Sequence, residues 1–77
     1  MTYEEYYDAI KEVLKIHLVG FKLSDEQIDA YMKQNEDMIK SEYKIDNEEY
    51  ESGKITLNVF KNGAVNGVAW CLRWMYE

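Results

Sequence analysis

Residues 54–77 hold most of the bulky apolar side chains that no neighbouring charge offsets, and this concentration limits the folds open to the chain. Residues 1–53 carry 14 acids and six lysines, a balance of −8. Residues 54–77 carry Lys54, Lys61 and Arg73 against Glu77 alone, a balance of +2. An acidic, amphipathic front half therefore has to surround an apolar back half. That back half is buried by the front half, by a second copy or by a partner.

With 77 residues the chain reads as a single small domain, 1–77, near the lower size limit for folding without staples. A hydrophobic content of 47% and eleven aromatic residues point to a packed core rather than disorder. Cys71 is the one cysteine, so no internal disulfide forms and a reducing compartment is expected. Met1-Thr2-Tyr3-Glu4-Glu5 has neither the basic nor the apolar region of a signal peptide. The longest apolar run, Val68 to Leu72, is far short of the roughly 20 residues of a membrane span. A soluble, cytoplasmic protein is the expectation. A net charge of −6 argues against direct nucleic-acid binding, which needs a basic footprint, and admits a basic protein partner. Eight lysines against one arginine suggest an AT-rich genome, a hint about source and not function; a small bacterial or phage-type accessory protein is a separate expectation.

Two helices are well marked in the front half. Thr2 and Glu5 have capping-box spacing, and Tyr3, Tyr6, Ile10, Val13, Leu14 and His17 recur at steps of three and four, predicting a helix over 3–18. Gly20 is its expected stop, in the left-handed conformation. Ser24 and Gln27 form a second capping box, with Leu23 and Ile28 at staple positions. Ile28, Tyr31, Met32, Met38, Ile39 and Tyr43 predict a helix over 25–43, interrupted only by polar Asn35. Asp29–Lys33 and Glu36–Lys40 are acid-first pairs that support it. Residues 44–53 read as an acidic connector with at most a short turn before Gly53.

The back half admits two readings. Ile55 to Val59 alternates as a strand does, and Asn62-Gly63 is a hairpin dipeptide. Helical spacing runs further: Leu57, Phe60, Ala64, Val68, Cys71 and Met75 form one stripe, and Val59, Gly63, Gly67, Trp70 and Trp74 form another. A helix over 56–75 is favoured, with Gly63 and Gly67 open to close approach by another backbone. The fold class expected is all-α, a compact three-helix bundle of 3–18, 25–43 and 56–75 with the third helix between the others. An α+β fold with a β-hairpin around 55–70 is the alternative.

No cofactor, metal or catalytic constellation stands out. Gly53-Lys54-Ile55 resembles the middle of an EF-hand calcium loop, but its ligand positions fall on Glu48, Tyr50, Ser52 and Val59, and tyrosine and valine cannot complete the cage. His17 is the only histidine and has no evident nucleophile or carboxylate partner. Cys71, between Trp70 and Leu72, is expected to be an inert core thiol. Three tyrosines within Tyr3, Tyr6 and Tyr7 exceed what one helix face buries, so Tyr3 and Tyr7 are candidate contact residues. Glu42, Asp46, Glu48, Glu49 and Glu51 are candidate docking residues for a basic partner, and Trp70 and Trp74 are candidates for self-association. The function expected is a non-enzymatic protein–protein interaction module. The competing readings are an acidic inhibitor or nucleic-acid mimic that docks a nucleic-acid-binding protein, and a self-associating structural subunit, as a homodimer.

Overall fold

The computed structural model describes residues 1–76, and the architecture is all-α. Four α-helices follow in order: α1 (Tyr3–His17), α2 (Asp25–Gln34), α3 (Glu36–Glu51) and α4 (Val65–Met75). A 3-10 turn, Val19–Phe21, follows α1, and a π-helical segment, Val59–Ala64, runs directly into α4. No strand occurs among the described residues, so the hairpin around 55–70 is not formed.

Both capping boxes are present. The Thr2 hydroxyl accepts from the Glu5 amide at 3.1 Å while Glu5 accepts from the Thr2 amide at 2.8 Å, and Ser24 and Gln27 repeat the pattern at the same distances. These bonds satisfy donors that a helix start otherwise leaves without partners. The Asp29–Lys33 and Glu36–Lys40 pairs form at 3.8 Å each.

The helix expected over 25–43 is two helices. Asn35 closes α2 and opens α3 with φ −113° and ψ 19°, outside the helical region, and its side-chain amide donates to the Tyr31 carbonyl at 3.0 Å. A short polar side chain that competes for backbone groups is the physical cause of the break. The expected three-helix bundle therefore becomes four helices. The stretch read as a connector, 44–53, is helical to Glu51, because Tyr43, Asp46 and Tyr50 keep inward steps of three and four. Gly53 ends α3 at φ 81°, with its amide bonded to the Tyr50 carbonyl and the Lys54 amide to that of Glu49. That Schellman closure is what the calcium-loop resemblance had fallen on. At the other turn, Lys22 and not Gly20 takes the left-handed conformation, at φ 54°.

Residues 57–75 form one continuous helix, as the longer periodicity predicts, but its faces are rotated from the expected ones. Each π turn takes up an extra residue. The buried positions accordingly step by five from Phe60 to Val65, then continue through Val68, Ala69 and Leu72. Past the bulge, Cys71 and Met75 move off the core, and the stripe of Val59, Gly63, Gly67, Trp70 and Trp74 faces outward. The expectation that Cys71 is a core thiol is thereby overturned: it is exposed, as is Trp70 beside it.

The core joins Tyr6, Ile10, Leu14 and Leu18 to Ile28, Met32, Ile39 and the inner face of the last helix. α1 and α4 make the most extensive helix–helix contact. Tyr6, Tyr43 and Tyr50 surround Phe60 at ring-centroid distances of 5.8, 6.1 and 5.6 Å, sealing one end. Phe21, Tyr31 and Tyr76 close the other, where the Tyr31 hydroxyl donates to the Leu72 carbonyl at 2.6 Å. No helix of the described residues is long and apolar enough to cross a membrane.

Candidate protein-interaction surfaces

The outward side of the last helix carries Leu57, Val59, Trp70, Trp74 and Met75, all exposed. The two tryptophans come together there because they are four apart and follow the same outward line as Gly63 and Gly67. Trp74 is 72% exposed and Trp70 47%. Trp70 is steadied from one side by the His17 ring, with centroids 4.1 Å apart. The Arg73 guanidinium lies 5.7 Å from the Trp74 ring and 5.1 Å from that of Phe21, linking the helix to the turn after α1. A Cβ added at Gly67 would meet no atom within 4 Å, and one at Gly63 would meet only Val59 at 3.6 Å. The two glycines therefore leave open space instead of admitting a backbone from within the chain.

Beside this face, a groove of about 320 Å³ runs between α3 and α4. Met38, Val68, Cys71 and Met75 supply apolar walls, Ala64 and Gly67 a low floor, and Glu42 and Asp46 a carboxylate edge. The fold positions these two acids because they are four apart on α3. Asp46 also accepts from the Tyr6 hydroxyl at 2.8 Å. Burial, and then that carboxylate, pushes the Tyr6 hydroxyl well above the ordinary phenol range.

The other acids of the run point elsewhere. Glu48 and Glu49 border a shallow depression with Ile45, Ser52 and Lys54, and Glu51 accepts from the Asn47 amide at 2.8 Å. The helix thus splits the five acids into separate directions, with only Glu42 and Asp46 beside an apolar groove. Among the described residues none of the five is ion-paired to a lysine or arginine.

Tyr3 and Tyr7 are half-buried, with ring centroids 6.0 Å apart, and line a cleft with Glu4, Asp8, Lys33 and Glu36. Both hydroxyls are buried without a hydrogen-bond partner. Burial, reinforced by Asp29 and Glu36, pushes the Tyr7 hydroxyl up to about 12, and burial also raises that of Tyr3. The groove was missed in the sequence, and Cys71 was read as core rather than as one of its walls, because both depend on the rotation imposed by the π segment. Among the described residues no cluster of three or more histidine, cysteine or acidic side chains could hold a metal ion. No family model, curated protein or solved structure matches the chain.

Proposed function

We propose that this chain is a non-enzymatic protein–protein interaction module whose contact surface is the outward face of residues 57–75. The observation that carries this reading is the exposure of both tryptophans on a face with no acidic residue between Leu57 and Met75. Tryptophan is concentrated in the energetic centres of protein interfaces, and contiguous apolar surface on a soluble chain marks a contact site. The only imidazole lies against the Trp70 ring, which supports a packing role over a catalytic one.

A photocrosslinking residue placed at position 74, with position 12 on α1 as control, tests this in the cells that make the protein. A discrete protein adduct from 74 that is absent from 12 is expected. No adduct from 74, or identical adducts from both positions, overturns the reading. A second copy is the next reading, favoured because the uncharged glycine-tryptophan line can cover itself across a twofold axis. Sedimentation equilibrium at tens of micromolar would then give twice the 9.2 kDa chain mass.

A further inference from the structure

We infer that the groove between α3 and α4 is a docking site for a basic amphipathic helix of another protein. The inference rests on the interaction-module reading and adds to it the place, shape and chemistry of one partner element. Ala64 to Met75 spans about 16 Å, or three helical turns, at the usual rise per residue. That is the length over which helix-in-groove recognition sets apolar anchors at steps of three, four and seven. Met38, Val68, Cys71 and Met75 offer the apolar seat, and methionine walls adapt to differing anchors. Ala64 and Gly67 raise no side chain that would hold a partner's backbone away; a Cβ at Gly67 would find nothing within 4 Å.

Charge decides between occupants. Glu42 and Asp46 stand four apart along one edge of the seat and are unpaired by lysine or arginine among the described residues. Asp46 is held in place by the Tyr6 hydroxyl, which donates to it at 2.8 Å. Two carboxylates beside an apolar seat, one of them fixed, complement lysine or arginine flanking an apolar stripe. A second copy fits less well, since each chain brings a net charge of −6. An acidic or neutral helix would leave the carboxylates without compensation.

The probe is a synthetic helix of leucine and lysine, about 18 residues long so that it holds helical structure. A leucine–glutamate helix of the same pattern and a lysine homopolymer serve as comparators, and the anisotropy of a fluorophore on the N-terminus of each peptide reports occupancy. Saturable one-to-one binding is expected for the leucine–lysine helix only. Glu42→Gln should weaken it by about threefold to tenfold, more strongly at low salt. Cys71→Arg, at an exposed position that leaves the core intact, should abolish it. Removing three charges in Glu48→Gln, Glu49→Gln and Glu51→Gln should matter less than Glu42→Gln alone. If the triple variant weakens binding more than Glu42→Gln, attraction is a matter of net charge and the groove assignment is overturned. Equal binding of the leucine–glutamate helix, or no saturation of the anisotropy signal with the leucine–lysine helix, overturns it as well. These outcomes are independent of the adduct at position 74, so the groove can fail while the tryptophan face stands.

Discussion

α1 and the helix of residues 57–75 pack against each other, yet their outward faces differ in kind. α1 turns Glu4, Glu5, Asp8 and Glu12 to solvent and leaves Ile16 as its one strongly exposed bulky apolar residue. The last helix turns Leu57, Val59, Trp70, Trp74 and Met75 outward, with Gly63 and Gly67 between them. The core takes only the inner positions, Phe60, Val65, Val68, Ala69 and Leu72, from this helix. The outward apolar residues lie outside the core cluster, so the contrast separates what holds the chain together from what it offers to others.

The sharpest way to break that contrast is to truncate one side chain on the inner face. Leu72 is fully buried among the core residues of α1 and α4. Leu72→Ala should cost about 2–5 kcal/mol, measured by urea unfolding, because it removes transfer energy and leaves a cavity. A loss under about 0.5 kcal/mol would mean that the inner face does not carry the stability assigned to it.

Tyr6 joins α1 to α3, and its hydroxyl bond to Asp46 gives the next largest effect. Tyr6→Phe keeps the ring and should cost about 0.5–1.5 kcal/mol, since half-buried Asp46 regains water. The raised phenol pKa values of Tyr6 and Tyr7 also set a direction with pH. The unfolded chain releases these protons near pH 10 and the folded chain only higher, so stability is full below pH 10 and falls above it. Tyrosinate absorbance followed with helical signal should show loss of helix between about pH 10 and 12, with a shallower dependence in Tyr6→Phe.

The same two helices show what was legible in the sequence. Capping residues act within one turn, so Thr2–Glu5 and Ser24–Gln27 could be read directly, as could the α1 stripe from Tyr3 to His17. The break at Asn35 was visible as a polar intruder, but an isolated asparagine is compatible with either a continuous helix or a join. The acidic 44–51 stretch was misread because charge suggested a connector, while Tyr43 and Tyr50 anchor it to Phe60. Helical periodicity of 57–75 was legible and its facing was not. A π turn is written in no single residue type, and it alone moves Trp70, Cys71 and Met75 outward and creates the groove beside Glu42 and Asp46.

Gly67 tests whether open space on the outward face is neutral for folding. It sits inside α4 without a positive φ, and a methyl group there meets nothing within 4 Å. Gly67→Ala should raise stability by about 0.5–1 kcal/mol by restricting the unfolded chain and favouring helix. A measured loss would show that the glycine is packed against something, and a concentration-dependent loss would identify a second copy.

The smallest effect on stability is expected where the largest effect on contact is placed. Trp74 projects from the last turn of α4, 72% exposed, with the Arg73 guanidinium 5.7 Å from its ring. An exposed cation–π contact is worth about 0.5–1 kcal/mol, and alanine recovers part of that through better helix propensity. Trp74→Ala should therefore change unfolding free energy by less than about 0.5 kcal/mol. Trp70→Ala should cost somewhat more, because Trp70 is half-covered and stacks on His17. If both variants stay folded while the protein partner crosslinked at position 74 no longer co-purifies, the outward face is a contact surface rather than a misplaced core. If Trp74→Ala instead lowers stability as much as Leu72→Ala, the tryptophan is buried in solution, by this chain or another, and the division between inner and outer faces fails.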